Sequence, residues 1–309
     1  MKKVVITGAT GIIGLNLINY LLKKDIEVLA IIRKNSSRKN LLPICNKLKV
    51  IESDLEKFKN IKIEERYDIF IHLAWDGTFG DSRNNVQEQL KNIEYTLDAV
   101  RLAKELGCTK FIGAGSQAEY GRIEGIIKPN TPTNPENSYG MAKLCAGQLS
   151  RLLANQLGIE HIWTRILSVY GPFDNDNTMV MSSIREMIDN NTSPDYTKAE
   201  QKWDYIYAED VAKAFYLIGE NAKNNSIYCI GSGIQRPLYQ YIQEIRDNIN
   251  KNIKLNIGAK EYSENQVMNL CADISNLTED TGFIPETKFE EGIIKTINYY
   301  KEKLNEEKN

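Results

Sequence analysis

The chain has little histidine, and its cysteines do not cluster. Only two histidines, at positions 72 and 161, occur among the 309 residues. The five cysteines, at positions 45, 108, 145, 229 and 271, include no C-x-x-C pair. Because zinc and iron sites need several such ligands at close spacing, no metal site is expected. Scattered cysteines in odd number are typical of free thiols in a reducing compartment.

Long apolar runs and a strong charge of one sign are also missing. No apolar run approaches the roughly 18 residues that a membrane span needs. The opening "MKKVVITGATGIIG" begins like a signal peptide, but Gly8 and Gly11 interrupt its apolar run after a few residues. A net charge of -2 does not favour nucleic acid or an anionic membrane as a partner. We therefore expect a soluble cytoplasmic protein that binds neither.

Short apolar segments alternate with helical patterns through the first half of the chain. The segments are nearly all apolar, which is typical of strands covered on both faces in a parallel sheet. Strands are expected at 2–8, 27–33, 48–54, 68–74, 110–116 and 161–171. Between them, apolar residues recur at spacings of three and four, as in Val86, Leu90, Ile93 and Leu97. The alternation predicts an α/β fold with a Rossmann-type doubly wound parallel sheet.

The pattern changes after Gly171, where the turn-rich stretch "PFDNDNT" begins. Further strands are expected in "WDYIY" and "SIYCIGSG", and helices near 179–190, 208–221, 237–250 and 289–304. We interpret the later part as a smaller α/β C-terminal substrate lobe. The predicted Rossmann domain comprises 1–171 and 199–233, and the predicted substrate-binding lobe comprises 172–198 and 234–309.

The first predicted strand leads into a glycine-rich turn, "TGATGIIG", which opens a helix. The first two glycines allow a tight turn and close approach to a pyrophosphate, and the third lets the helix pack closely on the sheet. The helix N-terminus adds free amides and the positive end of the helix dipole. A dinucleotide site is therefore predicted, although a purely structural turn is the alternative. Its cofactor contacts are expected at Gly8, Thr10, Gly11, Ile12, Ile13 and Gly14.

The residue expected to meet the adenosine ribose lies about 20 positions further on, at the end of the second strand. An acidic residue there binds the 2′-hydroxyl of NAD, whereas this chain has Arg33, with Arg38 nearby. Because a guanidinium can grip a 2′-phosphate in a bidentate fork, NADP(H) is favoured over NAD(H). A solvated basic loop is the alternative. Asp54 is expected to accept from the adenine amino group, with Leu55 beside it, unless Asp54 only caps the following helix.

Tyr139 precedes Lys143 by four residues, a spacing that places both side chains on one face of a helix. An ammonium beside a phenol favours the phenolate and so lowers the pKa of the tyrosine. A lysine also follows Tyr20 and Tyr299 at the same spacing. The spacing alone therefore does not identify a site, and packing roles are expected for those two tyrosines.

Several motifs occur in order along almost the whole chain. After the phosphate loop come "HLA" at 72–74, "GS" at 115–116, "YGMAK" at 139–143, "VYGP" at 169–172, "WDYIYAEDVAKA" at 203–214 and "ADISNLTEDTGFIPETKFEEGI" at 272–293. Arg165 is a further match. Together they resemble the extended short-chain dehydrogenases/reductases, and specifically their nucleotide-sugar epimerase/dehydratase/reductase group.

The resemblance implies a catalytic set of Ser116, Tyr139 and Lys143. Tyr139 would exchange a proton with the substrate oxygen, and Ser116 would donate a hydrogen bond to the same oxygen. Lys143 would bind the nicotinamide ribose and lower the pKa of Tyr139 toward the working pH. Leu73 and Ala74 would contact the cofactor together with Tyr139 and Lys143.

Positions at which this sequence departs from the group help to distinguish the possible reactions. Dehydratases of the group carry Thr-Asp-Glu where this chain has Ser116, Gln117 and Ala118, and neither an amide nor a methyl group can replace the missing acid and base. Reductases and epimerases both tolerate this arrangement. Since a net reductase draws on NADPH, which suits Arg33, the favoured function is reduction of a dTDP- or CDP-4-keto-6-deoxyhexose in deoxysugar or surface-glycan synthesis. An NAD-dependent 4-epimerase and a non-catalytic NADP(H)-binding regulator are the alternatives.

Substrate contacts are expected from one further set of residues. Trp203 stands where the group commonly has an arginine, and Ser168 where it often has an asparagine, so the nucleotide is not identified. Asn92 is expected to support the active-site backbone. The resemblance also implies a homodimer that pairs helices around 86–106 and 139–157. The predicted substrate-binding residues are Trp75, Gln117, Ser168, Trp203 and Arg236.

Overall fold

The computed structural model describes residues 1–308 and all side chains of that range except those of Asn40, Glu307 and Lys308. Its strands are distributed from residue 3 to residue 257. In chain order they are Lys3–Thr7 (β1), Glu27–Ile32 (β2), Leu48–Glu52 (β3), Ile69–His72 (β4), Lys110–Ser116 (β5), Glu160–Ile166 (β6), Ser168–Tyr170 (β7), Asp195–Tyr196 (β8), Lys202–Trp203 (β9), Tyr205–Tyr207 (β10), Ile227–Ile230 (β11), Arg236–Pro237 (β12) and Asn256–Ile257 (β13).

The helices begin at polar caps in several cases. The side chains of Asn85, Asn137 and Thr178 each accept a hydrogen bond from an amide in the first turn of the helix that follows. The α-helices are Ile12–Lys23 (α1), Val86–Glu105 (α2), Ser138–Gln156 (α3), Met179–Asp189 (α4), Ala208–Asn221 (α5), Leu238–Ile249 (α6), Ser275–Thr281 (α7) and Phe289–Lys308 (α8). Short 3-10 turns cover Lys39–Leu41, Leu55–Asn60, Gly80–Asn84 and Gln117–Glu119.

Seven strands form one sheet in the order β11-β6-β5-β4-β1-β2-β3, and all neighbours are parallel. In the middle of this sheet Val5 of β1 pairs with Leu29 on one side and with Phe70 on the other. The predicted Rossmann-type doubly wound sheet is thus confirmed. The carboxyl ends of β1, β4 and β5 lie side by side, so the loops that follow them share one edge of the sheet.

Two predicted strands are divided in the structure. The segment 161–171 becomes β6 and β7, and "WDYIY" becomes β9 and β10. Both β7 and β10 leave the central sheet and pair with each other in parallel, while β9 pairs antiparallel with β12. The apolar pattern predicts extended backbone at these positions, but it carries no information on the pairing partner.

Two apolar clusters cover the two faces of the central sheet. Val4 and Ile6 of β1 belong to the cluster under α1 and α5, whereas Val5 belongs to the cluster under α2. Because alternate residues of a strand point to opposite faces, both sets must be apolar when both faces are covered. This arrangement explains why the predicted strands read as continuous apolar runs.

A third apolar cluster lies outside the sheet and joins α4, α6 and α8. Ile184, Ile242 and Ile293 are fully buried in it. The cluster also includes Tyr170 and Tyr207, which fall within the predicted ranges of the Rossmann domain. The division of the chain into 1–171 with 199–233, and 172–198 with 234–309, stays a prediction.

Asp204, between β9 and β10, is fully buried and ties together segments that are distant in sequence. Its carboxylate accepts hydrogen bonds from the amides of Ser232, Gly233 and Ala272 at 2.8, 3.1 and 3.0 Å. The Ser232 hydroxyl donates a fourth bond at 2.6 Å. Burial raises the pKa of the Asp204 carboxyl, and these hydrogen bonds oppose that rise.

Over residues 1–308, every helix is too short or too polar to cross a lipid bilayer. The expected cytoplasmic location stays a prediction.

Candidate active site

The phosphate loop follows β1 and leaves no room for side chains at two glycines. Gly8 has a φ of +68°, and a Cβ built on it would lie 2.7 Å from the backbone nitrogen of Ala74. A Cβ on Gly14 would lie 2.4 Å from the Gly8 carbonyl oxygen. The loop, the first helix and the end of β4 therefore approach one another as closely as backbone allows.

The start of α1 fits a phosphate group. The helix begins at Ile12, directly after Gly11, and its first turn holds no acidic side chain. The first amides of a helix have no intrahelical partner, so those of Ile12 and Ile13 are donors for an anion. The Thr10 hydroxyl accepts a hydrogen bond from Ser36 at 3.1 Å, which links this loop to the turn after β2. These residues suit the pyrophosphate of a dinucleotide.

The basic residues predicted to hold a 2′-phosphate contact different segments of the chain. The Arg33 side chain is 73% exposed, and its Nη1 lies 4.0 Å from Asp76 Oδ1. Arg38 instead donates through Nη2 to the carbonyl of Phe173. The structure thus directs Arg33 toward the loop after β4, and Arg38 toward the segment after β7.

The two residues predicted to meet the adenine, Asp54 and Leu55, follow β3 where the 3-10 turn Leu55–Asn60 begins. Asp54 does not cap the turn that follows it, so the alternative role considered for it is not found. Its carboxylate accepts from Lys57 at 3.2 Å, and this bond lowers the pKa of Asp54. Leu55 is buried in the cluster under α2.

Ser116, Tyr139 and Lys143 come together at the carboxyl edge of the sheet. Ser116 ends β5, and the other two lie one turn apart on α3, which Asn137 caps. The Ser116 side chain lies near enough to the Tyr139 hydroxyl to lower the pKa of the phenol. Both α3 side chains are buried. The predicted catalytic set is therefore assembled in space, and its catalytic role stays a prediction.

Lys143 sits in a confined pocket. Its ammonium donates to the Ala114 carbonyl at 2.6 Å and lies 3.8 Å from the centroid of the Trp75 ring. Burial lowers the pKa of Lys143 to about 7, and the Glu119 carboxylate partly opposes that change. At neutral pH, a fraction of the Lys143 side chains is therefore uncharged.

The pKa of Tyr139 moves in the direction opposite to the one predicted. Burial raises it, while the Ser116 hydrogen bond and the charge of Arg83 lower it, and Glu119 raises it further. The Lys143 Nζ lies 5.8 Å from the Tyr139 ring centroid. The expectation overlooked that α3 buries the phenol, and that desolvation disfavours the phenolate.

The loop 75–84, which begins with Trp75, covers the side chains of Tyr139 and Lys143. The Trp75 ring meets the Tyr139 ring edge to face, with centroids 6.0 Å apart, and its Nε1 donates to Gln89 at 2.9 Å. Asn92 accepts from the Asp76 amide at 2.9 Å and donates to the Asp76 carbonyl at 3.0 Å. Asn92 therefore supports the active-site backbone, as predicted.

A buried ion pair lies behind Ser116, and sequence reasoning missed its acidic partner. Glu119 is fully buried and accepts from Arg165 Nε at 2.7 Å and from Trp163 Nε1 at 3.0 Å. It also accepts from the Ser116 amide at 2.9 Å, completing a capping box around the turn. Gln117, next to Ser116, is half-buried. The signal available in the sequence was the serine three residues before a glutamate.

The remaining predicted substrate residues form a second group. Trp203 donates through Nε1 to the Ser168 hydroxyl at 2.7 Å and is paired in strand register with Arg236. Arg236 donates to Glu290 at 2.6 Å and lies over the Tyr241 ring. Trp203 and Tyr241 belong to the third apolar cluster, which joins α4, α6 and α8. The structure thus brings Trp203, Ser168 and Arg236 together beside the third apolar cluster.

The tyrosines with the same lysine spacing are packing residues, as expected. Tyr20 lies against Tyr216 with ring centroids 5.6 Å apart, and Tyr299 lies against Phe173 with centroids 5.0 Å apart. The histidines are also used internally: His72 bonds Thr7 Oγ1 at 2.8 Å, and burial lowers its pKa to about 3. Within residues 1–308, no group of three His, Cys, Asp or Glu is placed to hold a metal ion.

Comparison with known proteins agrees with this geometry. Among curated proteins, dTDP-4-dehydro-6-deoxyglucose reductase of Escherichia coli is 28% identical over 95% of this chain and 96% of its own length. Among solved structures, UDP-N-acetylglucosamine 4-epimerase from Methanobrevibacter ruminantium M1 has a TM-score of 0.88 at 24% identity, covering 98% of this chain and 99% of its own. The dTDP-glucose 4,6-dehydratase from Streptomyces venezuelae, solved with NAD bound, has a TM-score of 0.87 at 19% identity over 98% of both chains.

These three relatives are a reductase, an epimerase and a dehydratase of nucleotide sugars. A family model with the description "NAD dependent epimerase/dehydratase family" matches residues 4–231, which is most of the chain. With the glycine loop and the Ser-Tyr-Lys set in place, the chain belongs to the NAD dependent epimerase/dehydratase family.

Proposed function

We propose that the protein uses NADPH to reduce a keto sugar nucleotide, most specifically a 4-keto-6-deoxyhexose carried on dTDP or CDP. The observation that carries this proposal is the assembled set of Ser116, Tyr139 and Lys143 beside Gln117 and Ala118. An amide and a methyl group cannot supply the acid and base for eliminating water, so hydride and proton transfer remain. The 28% identity to the E. coli reductase, over nearly the full length of both chains, supports the same reaction class.

The roles of the chain's own groups follow from their positions. NADPH, when bound, supplies a hydride to the carbonyl carbon. The Tyr139 hydroxyl gives its proton to the carbonyl oxygen, and the Ser116 hydroxyl donates a hydrogen bond to that oxygen. Lys143 binds the ribose hydroxyls next to the nicotinamide. Trp75, which covers Lys143, excludes water from this end of the cleft and lines the substrate side.

The preference for NADPH rests on Arg33. Its guanidinium is exposed at the end of β2, where the ribose 2′ position is expected, and arginine matches phosphate geometry in a bidentate fork. Arg38 is a weaker candidate for the same role, because the Phe173 carbonyl already engages it.

The test follows the loss of NADPH absorbance while dTDP-, CDP-, GDP- and UDP-4-keto-6-deoxy sugars are offered in turn. We expect oxidation of NADPH with a dTDP or CDP sugar, and none with the Tyr139→Phe variant. If no sugar of the panel is reduced, the proposal of a reductase is wrong. Activity that survives unchanged in Tyr139→Phe would remove the proton-donor role.

An NAD-dependent 4-epimerase is the second candidate, and one observation favours it. Asp76 lies 4.0 Å from Arg33, and Asp54 and Glu88 are also close enough to affect the pKa of Asp76, so this end of the cleft is not purely basic. An epimerase recycles its cofactor. It would therefore be purified with NAD bound and would convert its substrate without added NADPH.

A non-catalytic regulator that only binds NADP(H) is the third possibility. It predicts that Tyr139→Phe leaves every measurable activity unchanged. The intact set of a half-buried Ser116 with buried Tyr139 and Lys143 supports catalysis instead.

We also propose that the protein forms a homodimer through α2 and α3. Five large apolar side chains on these two helices face solvent in the single chain: Val86, Leu90, Met141, Leu149 and Leu152. Exposed apolar residues on adjoining helices favour burial against a second copy. Light scattering should give twice the mass of the chain, and Leu152→Glu should shift it toward the monomer. A monomeric mass for the unmodified protein would contradict the dimer.

A further inference from the structure

The loop between β4 and α2 places a second cation against Tyr139. The Arg83 guanidinium carbon lies 4.3 Å from the centroid of the Tyr139 ring. The Arg83 Nη1 also donates to the Thr78 carbonyl at 3.1 Å, within the same loop. The guanidinium is thus held over one face of the phenol, within the distance at which a cation and an aromatic ring attract each other.

The side chain of Gln89 on α2 anchors the loop that carries Arg83. Gln89, on the first turn of α2, is almost fully buried. Its Nε2 donates to the carbonyls of Gly77 and Ser82 at 2.8 and 2.9 Å, so the residue before Arg83 is held directly. Its Oε1 accepts from Trp75, which lies at the other end of the loop. The position of Arg83 is therefore set by the scaffold.

Three charged groups surround the Tyr139 phenol. Arg83 faces it from the turn Gly80–Asn84, Lys143 from its own helix, and Glu119 from the turn after β5. Glu119 is neutralised by Arg165 at 2.7 Å. Lys143 is bound to the Ala114 carbonyl and loses its proton near neutral pH, because burial lowers its pKa to about 7. Arginine stays positively charged over the whole working pH range, so Arg83 remains a cation beside the phenol when Lys143 has lost its proton.

We propose that Arg83 is a positioning residue for Tyr139: its guanidinium holds the ring against Ser116 and stabilises the phenolate over the phenol. This inference rests on the proposed function, in which Tyr139 delivers a proton to the substrate oxygen. When the O–H bond of Tyr139 breaks, the electron pair stays on the phenolate oxygen, and the nearby positive charge stabilises it. A stronger acid at this position speeds proton delivery to the carbonyl oxygen.

The first test does not depend on any substrate. The protein is labelled with tyrosine carrying ¹³C at Cζ, the Tyr139 resonance is identified by its loss in Tyr139→Phe, and its chemical shift is followed against pH. We expect Arg83→Gln to move the Tyr139 ionisation upward by roughly one pH unit, the size of a partly desolvated cation–ring interaction. Arg83→Lys, which keeps a cation, should recover most of that shift.

Arg101→Gln is the matched control. Arg101 lies on α2 and pairs with Asp98 at the surface, so its loss changes the net charge equally without touching Tyr139. A Tyr139 resonance that behaves the same in wild type and Arg83→Gln up to the highest pH at which both stay folded would overturn the proposal. An equal shift in Arg101→Gln would also overturn it, because the effect would then come from overall charge.

The second test uses turnover. In the proposed reductase, activity is lost at high pH as Tyr139 loses its proton, which gives the pH profile of kcat a basic limb. Arg83→Gln should lower the plateau of kcat several-fold and move this basic limb to higher pH. The KM for NADPH should change little. A structural role alone would lower activity without moving the limb, and that result would contradict the proposal. If no sugar is reduced, the proposed function fails, while the resonance titration still decides the role of Arg83.

Discussion

At the nicotinamide end of the predicted cleft, Tyr139 and Lys143 are 8% and 4% exposed, and their contacts come from the ends of three neighbouring elements. At the adenosine end the Arg33 side chain is 73% exposed, and the carboxylate of Asp76 lies 4.0 Å away from it. One end is fixed by packing and hydrogen bonds before any ligand binds. The other end is an exposed side chain, which can change without disturbing the core.

This difference implies that the proposed reaction and the proposed cofactor preference depend on different kinds of side chain. In the proposed reductase the chemistry depends on buried groups, so we expect a substitution there to change stability and activity together. The proposed preference for NADPH over NADH would depend on an exposed charge that water and salt screen strongly. We therefore expect large effects at the buried end and small, ligand-specific effects at the exposed end.

The largest effect is expected for Tyr139→Phe. Removing the hydroxyl deletes the proton donor, so kcat should fall by about 10²- to 10⁴-fold, the usual contribution of general acid catalysis. Because only one oxygen is lost from a buried ring, NADPH binding measured by fluorescence titration should stay close to that of wild type. Retained activity would show that the buried end does not perform the chemistry.

Glu119→Gln should cause the largest loss of stability. The Arg165 guanidinium would lose the carboxylate that lies 2.7 Å away in the interior, which costs about 3–5 kcal/mol in comparable buried pairs. Urea unfolding measures the change. Glu136→Gln, which removes the exposed partner of Arg122, is the matched control and should leave the unfolding midpoint nearly unchanged. Equal effects of the two substitutions would contradict the contrast between buried and exposed charges.

Lys143 should make stability depend on pH. Its pKa in the folded protein, about 7, lies below that of a free lysine, so between pH 7 and about 10 the unfolded chain binds more protons at this position. The free energy of unfolding must then rise with pH in this window, by at most about 1.4 kcal/mol per pH unit for this group, and the contribution of Lys143 is constant below the window. The difference between wild type and Lys143→Met isolates the effect. A difference that does not vary with pH would show that Lys143 does not titrate anomalously.

The smallest effect is expected for Arg33→Gln. Loss of an exposed phosphate ligand should raise KM for NADPH by about fivefold and leave kcat/KM for NADH unchanged, because NADH has no 2′-phosphate. Thermal unfolding should be unaffected, and Arg101→Gln should change neither constant. A similar loss with both cofactors would place Arg33 away from the 2′ position and would favour the NAD-dependent epimerase.

The sequence predicts the fold well where one rule governs many residues. Strands buried on both faces tend to be continuously apolar, so β1, β2, β4 and β5 are visible without any partner information, whereas β3 at the sheet edge is more exposed. The Gly8 turn is equally visible, since both its backbone angle and its contact with Ala74 demand glycine. The Ser116–Tyr139–Lys143 set follows from an ordered series of motifs, although its catalytic role stays untested.

The contacts that the sequence does not predict come from loops and from distant pairs. Arg83 and Gln89 follow no periodic pattern, and only the folded loop brings them to Tyr139 and Trp75. Burial also reverses the expected pKa shift of Tyr139, because desolvation depends on tertiary packing. The basic stretch predicts a cofactor role for Arg38, but the contact of Arg38 with Phe173 depends on the path of a segment far along the chain.

The hydrogen bonds of Asp204 limit how early its surroundings can fold during protein synthesis. One of its hydrogen-bond donors, the Ala272 amide, lies 68 residues further along the chain. At ribosomal rates of about 5–20 residues per second, that donor is made roughly 3–14 s after the aspartate. Until then the carboxylate must stay hydrated, so the region around β9 and β10 completes its packing only when the C-terminal part of the chain arrives.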